Sequence, residues 1–320
     1  MSHIWLAGGI CHERGAKAPS VITCSVTSRQ SSEPLTGTAP TATTWLLLEQ
    51  PGPWGARALA DSRLDPRLGR ALEQATAGTG VRTALIRRPG RRDQHAPRRV
   101  FLAHTHPGAS WIRTARLTEP WHLLDLDFAA LGGGAHGDLW EPHRGGPLTL
   151  VCTNGRRDRC CAVLGRPLVR ELAADLADVW EITHLGGHRF APTLLVLPFG
   201  YAYGRMTAPR VRRVLRAAGD GRVVLEGCRG RSPWSRPGQV AELAVRRRTG
   251  EARADALTVS REAPSPQGDR PGWTVTVSHR DGRRWRVTVT SVSGPAAPAS
   301  CGAEAEPRPR LAVTAVDGPA

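Results

Sequence analysis

Two short segments gather side chains able to hold a metal. The stretch "LVCTNGRRDRCCAVLG" (Leu150–Gly165) carries Cys152, Cys160 and Cys161, three of the seven cysteines, and "VWEITHLGGHRF" (Val179–Phe190) carries His184 and His188. Thiolates and neutral imidazoles together suit a borderline or soft metal centre. Zinc commonly occupies such a Cys2His2 set, but it usually takes its thiols from a tight C-x2–4-C hairpin, and here the spacing is C-x8-C. A [2Fe-2S] cluster accepts ligands from more widely separated loops. Exchanging two thiolates for two histidines removes about two negative charges and raises the reduction potential. Cys152, Cys161, His184 and His188 are therefore the candidate ligands, with Cys160 as the alternative thiol. Adjacent residues rarely point at one metal, so one of Cys160 and Cys161 is expected to pack or to sit behind the ligands. Arg156, Arg157, Arg159 and Arg189 flank the set, and their field favours a reduced, more negative centre.

The elements that must position these residues are legible in part. "LTLVCTN" reads as a strand ending at Cys152, and "GRPLVRELAADLAD" as a helix with Leu168, Leu172 and Leu176 on one stripe. "VWEITHL", "TLLVLPFG" and "YAYGRM" read as strands, and "APRVRRVLRAAG" as a helix. In "HLGGH" two glycines argue against one helix bearing both imidazoles and for a tight loop. The ends of neighbouring strands then bring the two thiols and two imidazoles to one end of the sheet.

A similar order occurs earlier in the chain. The apolar run Trp45–Leu48 reads as a buried strand, "DPRLGRALEQATA" as a helix, and "VRTALIRR" and "RRVFLAH" as strands. The expected fold class is α/β, two tandem copies of one small module with a mixed sheet and flanking helices, followed by an accessory helix and β-hairpin. The expected division is a loose tail over 1–20, a module without cluster ligands over 21–145, a second module bearing the candidate ligands over 146–232, and accessory elements with a tail over 233–320. In the hairpin "GWTVTVSHRDGRRWRVTVTS" a two-residue Asp281-Gly282 turn sets Val277 against Arg286. An odd loop, pairing Val277 with Val287, keeps both apolar faces together and is the expectation.

The segments "VCTNGRRDRCCAVLGRP", "HLGGHRFAPTLLVLPFGYAYGR" and "RGRSPW" resemble the sucrase/ferredoxin-like family, whose members are related to thioredoxin-like [2Fe-2S] ferredoxins. "PLTGTAPTATTWLLLEQPGPWG" and "PASCGA" extend the likeness from about residue 22 to about residue 305. The resemblance implies that both modules are thioredoxin-like and that the one over 146–232 is a ferredoxin-like module, with a cluster held by two Cys and two His, which fall on Cys152, Cys161, His184 and His188. It implies a one-electron carrier rather than an enzyme, serving an unidentified redox partner protein, an acidic one if the basic surface docks it. The alternatives are structural zinc on the same residues, or a metal-free thiol redox or interaction protein.

Other classes find little support. The acidic residues, such as Asp125, Asp127 and Glu181, show no pair suited to glycoside hydrolysis. Dithiol exchange lacks a C-x-x-C motif. The net charge of +16 invites a nucleic-acid reading, but of 44 basic residues only Lys17 is a lysine and the arginines are spread throughout, with no recognition motif. No apolar run is long enough to span a bilayer, and the N-terminus lacks the basic start of a signal peptide. A cytoplasmic protein with neither membrane nor nucleic-acid partner is expected. Cys24, Cys228 and Cys301 read as small buried apolar residues, with some allowance for pairing of Cys24 and Cys301. His104 and His106 read as a polar loop.

Overall fold

The computed structural model describes residues 23–90, 96–266 and 268–319. The tail expected over residues 1–20 lies outside the described residues. In chain order the first half holds α1 (Cys24–Gln30), β1 (Thr44–Glu49), α2 (Ala58–Asp61), α3 (Pro66–Thr76), β2 (Val81–Arg87), β3 (Arg98–His104), β4 (Trp111–Leu117), α4 (Phe128–Gly132) and β5 (Glu141–Pro142). The second half continues with β6 (Leu148–Cys152), α5 (Arg159–Leu172), β7 (Val179–Ile182), β8 (Leu194–Leu197), β9 (Tyr201–Tyr203), α6 (Ala208–Gly219), β10 (Cys228–Arg231) and α7 (Arg236–Thr249). Then follow β11 (Leu257–Pro264), β12 (Gly272–His279), β13 (Arg284–Val292), β14 (Ala296–Pro298), β15 (Ala305–Pro307) and β16 (Arg310–Asp317).

Ten strands form one mixed sheet in the order β10-β9-β8-β6-β7-β2-β1-β3-β4-β5. The repeat expected from the sequence is visible in that order. In one half β1 and β2 are parallel and β3 runs antiparallel on the other edge of β1; β6, β7 and β8 repeat the arrangement. Each half is thus a strand-helix-strand unit followed by an antiparallel pair, the thioredoxin-like arrangement. The halves join where β2 meets β7, at Ile86↔Ile182 and Arg87↔Glu181. Arg87 donates to Glu181 through Nε at 2.9 Å, so an ion pair flanks this short seam.

Alternation along the strands separates the cores. Trp45 and Leu47 of β1 pack with Leu148, Leu150 and Cys152 of β6 in a core shared by both halves, where Phe101 meets Trp180 edge-to-face at 5.5 Å. Leu46 and Leu48 face Leu68 and Leu72 of α3, while Val151 faces Leu168, Val169 and Leu172 of α5. Helix starts follow sequence chemistry: Asp65, Asp158 and Ser235 each accept a backbone N–H of the helix they precede.

Helix α7 is buried on both sides, against the large sheet through Leu243 and against β11-β12-β13-β16 through Val240, Ala241 and Val245. The accessory hairpin is therefore the middle of a four-stranded sheet. Its turn is odd, as expected, but Val277 pairs with Trp285 and Val275 with Val287. The N–H of His279 donates to Arg283 across a loop containing Gly282 at φ +97°, which leaves the apolar residues in register. No helix among the described residues is long and apolar enough to cross a membrane.

Candidate metal centre

Strand β6 ends at Cys152, 1% exposed, and α5 lies across that end. The helix begins at Arg159, earlier than expected, so Cys160 and Cys161 both fall in its first turn. Successive helical residues point about 100° apart. Cys161 accordingly joins the core beside Cys152, while Cys160 faces Cys24 and Ala191. Close approach of helix to strand requires Gly165, where a Cβ would strike the carbonyl of Cys152. Helix propensity alone favours alanine there by about 1 kcal/mol. The collision is worth about 1–3 kcal/mol and outweighs it, so Gly165→Ala is expected to lower the thermal midpoint of unfolding by a few degrees.

The histidines follow β7. Gly186 and Gly187, at φ +74° and +69°, turn the chain back so that the rings of His184 and His188 lie with centroids 5.4 Å apart. Two arginines hold this loop. Arg82 donates to the carbonyl of His184 at 3.1 Å and Arg229 to that of Gly186 at 3.1 Å. A Cβ on Gly187 would strike the Arg229 guanidinium. Burial brings the Arg229 pKa down to about 9, and its charge faces Cys152 and Cys161. Of the flanking arginines expected from the sequence, Arg156, Arg157 and Arg159 are exposed, and Arg189 pairs with Glu33 at 2.7 Å. Arg82 and Arg229, whose charges act on the thiols, come from distant strands and carry no local sequence signal.

The first set of four is thus brought to one end of the sheet. The Sγ of Cys152 lies 3.0 Å from the carbonyl of Thr183, a contact its thiol makes as donor. Its neighbours Cys161 and His184 and the N–H of Leu185 favour the thiolate and hold its pKa well below the usual value despite burial. Cys161, as donor to Cys152 and buried, is pushed up. His188 donates through Nε2 to the carbonyl of Ala299 at 2.6 Å, with Asp158 Oδ2 at 3.7 Å; burial lowers its pKa. The Nδ1 atoms of His184 and His188 are buried and make no hydrogen bond.

Beside this set stands a second that the sequence did not disclose. Cys24, at the start of α1, Cys160, and Cys301, in the turn after β14, bring their sulfurs to 3.4, 3.7 and 3.2 Å from one another. Asp158 completes the group, and all four donor atoms lie within 4.8 Å of one another, so this group could hold a metal ion. The reading of Cys24 and Cys301 as isolated apolar residues is corrected: they meet Cys160, across separations of 136 and 141 residues. Hydrogen bonding from Cys24 pulls Cys160 down to about 5, while the same pairing pushes Cys24 up. The one local hint was the Cys160-Cys161 doublet, whose members must face different ways. Cys228 is the buried apolar residue expected, raised to about 12 by burial.

Over residues 35–230, more than half of the chain, the sequence matches the family model described as sucrase/ferredoxin-like. The chain belongs to the sucrase/ferredoxin-like family. No curated protein and no solved structure matches it. The family region contains Cys152, Cys161, His184 and His188, whereas Cys24 and Cys301 lie outside it. It also spans the N-terminal half, where His104 and His106 serve packing. His104 stacks on Trp111 with ring centroids 5.8 Å apart and donates from Nδ1 to Thr44 Oγ1 at 2.8 Å, since the Thr44 hydroxyl hydrogen goes to Leu131.

Burial lowers the His104 pKa to about 4. Because the unfolded chain binds that proton first, its contribution is present above pH ~6.5 and is lost as pH falls toward 4, up to about 3 kcal/mol. His104→Asn keeps a donor toward Thr44 without the titration. Urea midpoints are expected to fall less in this variant than in wild type between pH 7 and 4.5.

Proposed function

We propose that the protein is a one-electron carrier in which Cys152, Cys161, His184 and His188 hold a [2Fe-2S] cluster. The observation that carries the reading is the pair of buried, unpartnered Nδ1 atoms beside two buried thiols. An imidazole nitrogen withdrawn from water normally finds a hydrogen-bond partner. A metal-binding histidine leaves one nitrogen for the metal and donates the other N–H to a carbonyl or carboxylate, as His188 does to Ala299 beside Asp158. The donor set therefore fits the group. Among the described residues only the Cys24 group draws three or more donors within 4.8 Å of one another, so the wider first set suits two irons better than a single zinc ion.

Such a cluster, when bound, takes up and releases one electron without a change of ligands. The chain's own residues set the conditions. Burial of Cys152 and Cys161 keeps water from the thiols, whereas His184 and His188 are half-buried and bring the site's edge close to the surface. Arg82 and Arg229 add positive field and fix the histidine loop. The exposed Arg156, Arg157 and Arg159 offer a positive face to an acidic redox partner, whose docking rate should fall as salt rises.

Protein purified without oxygen is expected to be brown, to hold about two irons and two acid-labile sulfides per chain, and to give a rhombic EPR signal on reduction. Colourless protein with zinc on Cys152, Cys161, His184 and His188, or with a reversible Cys152–Cys161 disulfide, contradicts the reading.

A further inference from the structure

We propose that Cys24, Cys160, Cys301 and Asp158 form a second, mononuclear site for a soft tetrahedral divalent cation, zinc, which clasps both ends of the described chain onto the start of α5. Sulfurs bound at about 2.3 Å to one tetrahedral ion stand about 3.8 Å apart. The three sulfurs here are 3.2–3.7 Å apart in every pairing. The Asp158 oxygens lie 3.5 Å from the Cys301 sulfur and 3.8–3.9 Å from that of Cys24, near the edges of the same tetrahedron. Three mutually close sulfurs cannot be explained by a disulfide, which joins two at about 2.05 Å and leaves the third unused. A two-iron cluster does not suit them either, because each iron of such a core takes two protein ligands and the three sulfurs are mutually close.

The fourth donor is built in. Asp158 caps α5, accepting the Cys160 N–H at 2.8 Å through Oδ1 and the Cys301 N–H at 2.9 Å through Oδ2. Those bonds aim its carboxylate at the sulfurs and leave lone pairs free on each oxygen. Uptake of the ion releases the thiol protons to solvent, and the excess negative charge sits at the N-terminal end of α5, where the helix dipole favours it. Cys24 and Cys301 are 277 residues apart, so one ion closes nearly the whole described chain into a loop. Ala299, two residues before Cys301, holds the His188 ring, which places the clasp against the neighbouring site.

The test is elemental analysis of the full chain purified without oxygen and without added chelator, as wild type, Cys24→Ser and Cys301→Ser. Wild type is expected to hold about one zinc per chain, and each variant at least about tenfold less, with iron content and colour unchanged. In parallel, Cys24 and Cys301 of native wild type should resist alkylation by iodoacetamide and become reactive when a zinc chelator is added. That comparison decides the matter even if a variant fails to fold. Zinc retained by both variants, a disulfide among the three cysteines in the native protein, or loss of iron in step with zinc would overturn the proposal. Zinc without iron leaves the clasp standing and sinks the electron-carrier reading; iron without zinc does the reverse.

Discussion

Replacing Cys152 with serine is expected to remove essentially all bound iron and visible absorption while leaving the fold intact. Cys152 ends β6 in the core shared by both halves, 1% exposed, and its neighbours favour the thiolate over the thiol. A serine hydroxyl would keep the donor contact to the Thr183 carbonyl that the thiol makes, so no buried polar group is orphaned. An un-ionised hydroxyl is a far poorer ligand for iron than a thiolate. Far-UV circular dichroism close to wild type, with iron reduced at least about tenfold, is the expected result. Full iron retention would place the cluster elsewhere. Cys161→Ser should behave alike and Cys160→Ser should not, because Cys160 faces Cys24 and Cys301.

Replacing His188 with cysteine is expected to retain a cluster whose midpoint potential falls by on the order of 100 mV, as exchanging a neutral ligand for an anionic one adds about one negative charge. The change also removes the contact between Nε2 and the Ala299 carbonyl, which loosens the segment covering the site. Redox titration followed by EPR reads both the shift and the number of spins. An unchanged potential means that His188 is not a ligand.

How much of this was legible depended on range. The helix "APRVRRVLRAAG" is α6 with the same bounds, and the strand-helix-strand order in both halves could be read from apolar runs and helical spacing. Strand β4, "WIRTARL", escaped because two arginines and two threonine-like or small positions blur its alternation, and the structure leaves it only partly buried. That both halves share one sheet rests on two residue pairs between β2 and β7, too short a seam to leave a pattern.

At the site, Cys152, Cys161, His184 and His188 could be named because thiols and imidazoles are rare and lie within two local segments. Arg82 and Arg229 could not, being two among many arginines, placed by topology alone. The meeting of Cys24, Cys160 and Cys301 was hidden for the same reason, since nothing local links residues separated by 136 to 277 positions. The sequence showed an odd doublet; only the fold showed where its outer member points.

The ligand set itself is tested most directly by pulsed EPR of the reduced protein, grown once with ordinary histidine and once with ring-labelled [15N]histidine. The account predicts strong coupling to two histidine nitrogens, one of them lost in His188→Cys. A two-iron signal without histidine nitrogen coupling would mean an all-sulfur cluster and would contradict it.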